Sequence, residues 1–286
     1  MSDNIKFLKD NQLIVDIYKI NDANFSTTTQ KQVFKRNNYY KIVYNSSGRK
    51  VKGYIAEPDG NDKLPCIIFN RGGTKNHGIF TDISIVTSPY ITRMVDWGYI
   101  VITTQYSGND GSEGKDEFGG MDLDDTLKLK EILERYYRAD TNKIGMIGGS
   151  RGGTMTYMVL KQVNWLKVAI VEAGVTNQKR NFELRPEMRE ICGEMFDTES
   201  RSELEKRSPI FWANKISQTT PLLILHGTGD TKVSPLDSIE ISDKLYKCGH
   251  QNFDLVLFGG DNHSLNINRE KENILVKEWL DTNLKV

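Results

Sequence analysis

The sequence predicts an α/β fold in which helices cover both faces of a mostly parallel central sheet. Short apolar runs of strand length recur along the chain, and amphipathic stretches with helical spacing separate them. Continuous apolar strands that alternate with helices are typical of parallel strands buried on both faces. The predicted strands are residues 65–69, 99–104, 143–147, 166–171, 221–225 and 253–258.

A β-hairpin is predicted ahead of these strands. Residues 39–44 and 50–56 alternate between apolar and polar side chains on either side of an Asn-Ser-Ser-Gly turn. Residues 1–38 are polar and only partly helical in pattern, and residues 21–30 are too rich in Asn, Ser and Thr to predict a regular element. We therefore expect an N-terminal extension over residues 1–38 and one α/β domain over residues 39–286.

A long, charged and mostly helical segment, residues 176–218, interrupts the alternation. We expect a cap over the carboxyl edge of the sheet, where open α/β proteins bind ligands, with an excursion away from the site as the alternative. Apolar residues at positions 184, 188, 191 and 195 fit one helix face. We expect this face to line the mouth of the site through Met188 and Met195, and packing against the domain core is the alternative.

Composition and charge exclude several classes of partner. Lys and Arg total 38 and Asp and Glu total 38, so no net charge favours a nucleic acid or a membrane surface. No apolar run reaches the ~18 residues of a membrane span, and the N-terminus lacks the apolar core of a secretory signal. The three cysteines are widely spaced, without a Cys-x-x-Cys pair. We expect a cytoplasmic protein without a cofactor or metal.

The segment Gly148-Gly149-Ser150-Arg151-Gly152 joins a predicted strand to a helical stretch. This pattern is typical of a nucleophile elbow, in which small residues let a serine sit on a strained turn. The following helix directs its N-terminus at the serine and favours developing negative charge there. An ordinary glycine-rich turn is the alternative for this motif, and the strand and helix on either side favour the elbow.

A carboxylate and a histidine follow Ser150 in the order expected for a serine hydrolase. Asp230 lies on a turn directly after the strand at 221–225, and His263 follows the strand at 253–258. An imidazole activates the serine by taking its proton, and a carboxylate holds the imidazole in the useful tautomer. Asp237 and Asp261 are the rival carboxylates, but neither sits on a strand-end turn before the final helix and strand.

The chain contains four histidines, which simplifies the choice of base. We expect His226, at a strand end, to be packed or bonded to its local turn, and His250, in a polar turn, to be solvated. His77 follows the glycine pair at 72–73 and is a candidate substrate contact, with a surface role as the alternative. We expect His263 to be the general base from its place in the ordered triad, and an ordinary polar loop residue is the alternative.

With these residues in place, the chain resembles the catalytic domain of the prolyl oligopeptidase family, which comprises serine peptidases and esterase relatives of α/β-hydrolase fold. The resemblance covers roughly residues 40–284. It is carried by Gly148-Gly149-Ser150-Arg151-Gly152-Gly153, Ser208-Pro209-Ile210-Phe211-Trp212-Ala213, His226-Gly227-Thr228-Gly229-Asp230 and Gly260-Asp261-Asn262-His263.

The resemblance implies an oxyanion hole and shows two departures. The family's His-Gly-Gly-Pro segment reads Arg71-Gly72-Gly73-Thr74 here. By position, the backbone N–H groups of Gly73 and Arg151 would bind the oxyanion, with that of Gly72 as a further candidate. About 38 residues precede the first predicted strand, too few for the β-propeller that gates access in many relatives.

These residues predict acyl transfer to water through an acyl-enzyme on Ser150. We expect carboxylic esters, including lactones, as substrates; hydrolysis of short peptides is the alternative, and a non-catalytic binding protein is a third. The acidic loop at residues 109–120 would attract a cationic substrate group or simply be a solvated loop shaped by its glycines.

Overall fold

The computed structural model describes residues 13–22 and 25–285, and over this part of the chain nine strands form one sheet. Its order is β1-β2-β3-β5-β4-β6-β7-β8-β9. The strands from β1 to β3 and the β3–β5 pair run antiparallel, whereas β4–β5 and the pairs from β6 to β9 are parallel. The strands are β1 (Ile14–Lys19), β2 (Asn37–Ser46), β3 (Arg49–Pro58), β4 (Leu64–Asn70), β5 (Ile100–Thr104), β6 (Ala139–Gly149), β7 (Val168–Glu172), β8 (Leu222–Gly227) and β9 (Phe253–Phe258).

Helices follow the strands as the pattern predicts, so the α/β architecture is confirmed. The α-helices are α1 (Thr28–Phe34), α2 (Asp82–Thr87), α3 (Pro89–Asp96), α4 (Leu123–Arg135), α5 (Arg151–Leu160), α6 (Gln178–Leu184), α7 (Glu187–Gly193), α8 (Arg201–Lys206), α9 (Leu236–Lys247) and α10 (Arg269–Leu284). Two 3₁₀ turns lie at Pro209–Phe211 and Ala213–Lys215. None of the helices in residues 13–22 and 25–285 is long and apolar enough to cross a membrane.

The described chain divides into two compact units. The first holds β1 to β3, β5 and nearly all of β4, and contains residues 75–116 and 124–144. The second holds residues 70–74, 117–123 and 145–285, and therefore α5 and the parallel strands β7 to β9. Every residue of β7 and β8 is buried, as expected for parallel strands covered on both faces.

The sheet begins earlier than the predicted domain boundary at residue 38. Strand β1 pairs antiparallel with β2, and it buries Ile14 and Ile17. A register shift between Ile14 and Asp16 places the buried side chains three residues apart, so the strand lacks the two-residue alternation that predicts one. Helix α1, capped by a reciprocal Thr27–Gln30 pair, also lies in the presumed extension. Residues 1–12 and 23–24 of that extension lie outside the described residues.

The segment 176–218 is a helical insertion between β7 and β8, as predicted, but its apolar positions do not form one helix face. Helix α6 ends at Leu184 and α7 begins at Glu187, with Pro186 between them. Proline lacks an N–H and disfavours helical backbone in the preceding residue, so the helix breaks there. Met195 lies beyond the end of α7.

Met188 and Met195 pack in a buried apolar cluster, which we call the cap cluster. Its buried members are Phe118, Phe182, Met188, Cys192, Met195 and Phe196. Met188 is 7 % exposed and Met195 3 % exposed. This burial favours core packing over a wall of the substrate site, and a substrate contact by either methionine stays a prediction.

We expect Met195→Ala to lower the free energy of unfolding by about 2–5 kcal/mol, because it leaves a cavity in the cap cluster. Leu184→Ala is the control, since Leu184 is 43 % exposed, and its effect should stay within about 0.5 kcal/mol. Urea denaturation followed by circular dichroism measures both values. Equal stabilities of the two variants would contradict the assignment of Met195 to the core.

Candidate active site

The turn between β6 and α5 holds Ser150 in a strained backbone conformation. Its φ is +55° and its ψ −123°, a region that residues other than glycine rarely adopt. The Ser150 N–H donates to the Glu172 carbonyl at 2.8 Å, and the Gly153 N–H donates to the Ser150 carbonyl at 2.9 Å. These bonds to β7 and to the first turn of α5 hold the serine at the strand end, as a nucleophile elbow requires.

The glycines of the motif are required by close backbone contacts. A Cβ on Gly148 would lie 2.1 Å from the Gly152 carbonyl oxygen, and one on Gly152 would lie 2.0 Å from the Asn70 carbonyl oxygen. Gly149 differs, because its added Cβ would meet nothing nearer than the Glu172 carbonyl oxygen at 3.7 Å. Gly148 and Gly152, two positions on either side of Ser150, therefore have no room for a side chain.

Asp230 and His263 form a short hydrogen-bonded pair at the ends of neighbouring strands. His263 Nδ1 lies 2.6 Å from Asp230 Oδ2. The other carboxylate oxygen, Oδ1, accepts the backbone N–H groups of Lys232 at 2.8 Å and Val233 at 3.1 Å. Because Nδ1 donates to the carboxylate, His263 Nε2 keeps the lone pair that a general base needs.

His226 is a second histidine on the same carboxylate, which the sequence analysis placed only in its local turn. Its Nε2 lies 3.1 Å from Asp230 Oδ2 and 3.1 Å from the Val233 carbonyl oxygen, and its Nδ1 lies 2.7 Å from Ser238 Oγ. Two acceptors at Nε2 require that this nitrogen carries the proton. His226 lies in the last two residues of β8, four residues before Asp230, and this spacing is the signal in the sequence for the contact.

The carboxylate of Asp230 is thus stabilised as an anion. Burial acts to raise its pKa, but the hydrogen bonds from His226 and His263 outweigh burial and hold the pKa well below its ordinary value. The ionised carboxylate accepts the Nδ1–H of His263 and so fixes the orientation of the imidazole ring. His263 itself is only partly buried, with 17 % of its side chain exposed.

The two rival carboxylates have structural partners instead. Asp261 accepts backbone N–H groups of the loop that follows it, from Asn262 at 2.8 Å and Asn268 at 2.8 Å. Asp237 accepts the N–H of Thr176 at 2.7 Å and that of Asn177 at 2.8 Å. Asp261 therefore shapes the loop that carries His263, and Asp237 anchors the start of the insertion.

The two remaining histidines differ in burial. The prediction that His250 is solvated is wrong, because its Nε2 lies 2.9 Å from the Ser217 carbonyl oxygen and the side chain is buried. Burial lowers the pKa of His250, and the bond to Ser217 opposes this shift. His77 lies in the first compact unit, and its contact with substrate stays a prediction.

Carboxylates of the acidic loop at 109–120 are engaged by the protein's own groups. Asp116 accepts the Lys75 N–H at 3.1 Å and the Asn109 side-chain amide at 3.1 Å. Glu113 accepts the Lys50 N–H at 2.8 Å. These bonds help to define the shape of the loop, so Asp116 and Glu113 are not simply solvated. Attraction of a cationic substrate group by the loop stays a prediction.

The predicted oxyanion loop runs beside Ser150. A Cβ on Gly72 would lie 3.2 Å from the Gly149 carbonyl oxygen and 3.5 Å from Ser150 Cβ. Gly73 has a φ of +77°, in the region that favours glycine. No hydrogen-bond acceptor for the Gly73 N–H lies among the residues that the structure describes.

Comparison with known proteins identifies the family. The sequence profile of the prolyl oligopeptidase family matches residues 86–286. The chain belongs to this family. It is therefore a serine hydrolase, and the reading as a non-catalytic binding protein is set aside.

Curated relatives of this family member carry peptidase names. The chain is 29 % identical over 210 residues to the uncharacterized peptidase YtmA of Bacillus subtilis, covering 72 % of this chain and 79 % of YtmA. It is 26 % identical over 267 residues to the uncharacterized peptidase YuxL of the same organism, covering 83 % of this chain but 38 % of YuxL.

Solved structures of similar fold include two peptidases. The acylaminoacyl peptidase of Pyrococcus horikoshii matches with a TM-score of 0.76 at 22 % identity, over 91 % of this chain and 44 % of that one. A puromycin-hydrolyzing peptidase of Mycobacterium tuberculosis matches with a TM-score of 0.71 at 20 % identity, over 92 % of this chain and 41 % of that one. This family member thus spans less than half of these longer chains, and the likeness confirms the α/β-hydrolase fold.

We expect Gly152→Ala to disrupt the elbow, because the new methyl group would displace the Asn70 carbonyl. The free energy of unfolding should fall by about 1–3 kcal/mol or more, and hydrolysis by on the order of 10²-fold. Gly149→Ala is the matched control, since its methyl group meets only ordinary contacts. Denaturation curves and steady-state rates measure both variants, and a Gly152→Ala enzyme as active and stable as Gly149→Ala would disprove the steric role.

Proposed function

We propose that this protein is a serine peptidase that cleaves short peptides through an acyl-enzyme on Ser150. The observation that carries the proposal is the 2.6 Å pair of His263 Nδ1 and Asp230 Oδ2, on strand ends that follow the elbow in the order expected of this fold. Ester hydrolysis, the substrate class expected from the sequence, has less support, because the relatives YtmA and YuxL are named as peptidases.

The first half of the reaction forms the acyl-enzyme. His263 Nε2 takes the proton of the Ser150 hydroxyl as its Oγ attacks the carbonyl carbon of the scissile bond. The carbonyl oxygen becomes an oxyanion, which accepts hydrogen bonds from the backbone N–H groups of Gly73 and Arg151. The protonated His263, stabilised by the anionic Asp230, then gives its proton to the departing amine, and the carbon–nitrogen bond breaks.

The second half of the reaction releases the acid. A water molecule gives a proton to His263 Nε2 and attacks the acyl carbon, and the same N–H groups bind the second oxyanion. The intermediate collapses, the proton returns to Ser150 Oγ, and the carboxylic acid leaves. An amide places a greater demand on this machinery than an ester does, because an amine leaves only after it is protonated.

A fluorophosphonate probe should label Ser150, because a serine that a neighbouring base activates displaces fluoride from the reagent and becomes phosphonylated. We expect Ser150→Ala to abolish labelling and to lower hydrolysis by on the order of 10⁴- to 10⁶-fold, without loss of the folded state. Ser264→Ala, at an exposed serine beside His263, is the matched control and should label normally. Labelling on a gel and a thermal melt measure the outcome; persistent turnover by Ser150→Ala would end the proposal.

A substrate panel separates peptidase from esterase activity. We expect the purified protein to hydrolyse aminoacyl and short peptidyl p-nitroanilides, and to lose this activity together with p-nitrophenyl ester hydrolysis in Ser150→Ala. Esters react more readily with an activated serine, so their hydrolysis alone does not identify an esterase. Turnover of p-nitrophenyl esters with no detectable cleavage of any anilide would favour the ester reading over ours.

A further inference from the structure

Two arginines beside the nucleophile are almost completely buried. Arg71, at the start of the oxyanion loop, is 1 % exposed, and Arg151, directly after Ser150, is 2 % exposed. Buried guanidinium groups are rare, because they lose their hydration and need fixed partners in exchange. The partners of these two groups include the backbone carbonyls on either side of the Gly73 amide.

Arg71 fixes the peptide that precedes Gly73. Its Nη1 donates to the Gly72 carbonyl oxygen at 3.1 Å. In a planar trans peptide the C=O and the N–H point in opposite directions. Since the Gly72 carbonyl and the Gly73 N–H belong to one peptide, a carbonyl held towards Arg71 directs the Gly73 N–H to the other side of the loop.

Arg151 contacts the peptide that follows Gly73. Its Nη1 donates to the Gly73 carbonyl oxygen at 3.4 Å. The guanidinium is itself fixed by Asp122, whose Oδ2 lies 2.8 Å from Nη2, and by the ring of Phe118, whose centroid lies 4.9 Å from its central carbon. The side chain of Asp122 is fully buried, so this ion pair has one well-defined geometry.

The Gly72 and Gly73 carbonyls, on either side of the Gly73 N–H, thus both accept a hydrogen bond from an arginine. The Gly73 N–H itself has no acceptor among residues 13–22 and 25–285. The peptide before it lies against Ser150. An oxyanion donor needs this arrangement, because it must be aimed before the charge develops.

We infer that the side chains of Arg71 and Arg151 are positioning residues that aim the Gly73 N–H into the oxyanion hole. The inference rests on the proposed function, since it takes the Gly73 N–H as a donor to the tetrahedral intermediate. It adds a role for two side chains, whereas the sequence analysis assigned Arg151 only a backbone role.

Arg151→Lys tests the inference. Lysine keeps the charge opposite Asp122, but a single ammonium cannot reproduce the fork that reaches both Asp122 and the Gly73 carbonyl. We expect kcat on an aminoacyl p-nitroanilide to fall about 10- to 100-fold with KM within about 3-fold, since loss of a whole oxyanion donor costs ~10²–10³-fold. Inhibition by phenylboronic acid, whose tetrahedral adduct with Ser150 presents an oxygen to the hole, should weaken in parallel.

Arg138→Lys is the matched control. Arg138 is also buried, with its Nη1 3.1 Å from Glu57 Oε2 and 2.8 Å from the Pro58 carbonyl oxygen, but it belongs to the first compact unit. Its replacement should lower the melting temperature and leave kcat and phenylboronic acid inhibition unchanged.

Two further variants keep the inference testable if Arg151→Lys does not fold. Arg151→Met combined with Asp122→Leu removes both charges of the buried pair, a replacement that proteins often tolerate. Arg71→Met removes the hydrogen bond to the Gly72 carbonyl oxygen. Each should reproduce the loss in kcat and in phenylboronic acid affinity. Folded variants with unchanged kcat, or with a loss of stability and no change in inhibition, would overturn the inference. Hydrolysis that survives Ser150→Ala would instead overturn the proposed function.

Discussion

The arrangement of the site depends on how closely the backbone segments approach one another at the elbow. With no room for a Cβ on Gly148 or Gly152, β6 passes directly into α5 against the carbonyl of Asn70. The chain after Asn70 continues into the predicted oxyanion loop, so this contact brings Gly72 beside Ser150. The strain at Ser150 is held by its hydrogen bond to β7. One packing constraint therefore orders Ser150, the N-terminus of α5 and the predicted oxyanion loop together.

A second constraint is electrostatic, and it concerns Asp230. Its two oxygens accept four hydrogen bonds, two from backbone N–H groups and two from histidines. A buried carboxyl would otherwise favour its neutral form, but these donors hold the pKa of Asp230 well below its ordinary value. Since the folded-state pKa is lowered, the bonds stabilise the fold above the unfolded pKa of about 3.9 and are lost as the pH falls through the folded-state pKa.

The sequence predicted the features that local chemistry determines. The glycines around Ser150 and the strand-end positions of Asp230 and His263 follow from spacing along the chain, and the structure pairs the latter two. The features that depend on tertiary contacts were missed. The register shift in β1 removes the two-residue alternation by which a strand is predicted. The expected helix face of the insertion is broken at Pro186. The side-chain role inferred for Arg151 depends on Asp122, 29 residues earlier, and no pattern in the sequence connects the two.

One side chain, Phe118, contacts both the insertion and the residue after Ser150, and it connects the cap cluster to the candidate active site. Phe118 packs in the cap cluster and also lies against the guanidinium of Arg151. Arg207, on the insertion, stacks on Phe196 of the same cluster and donates to the Glu117 carbonyl oxygen at 3.0 Å. Apolar packing therefore encloses the Arg151–Asp122 pair, and a pair shielded from water keeps a stronger and more directional interaction. Through Phe118, the packing of the insertion extends to the side chain of Arg151.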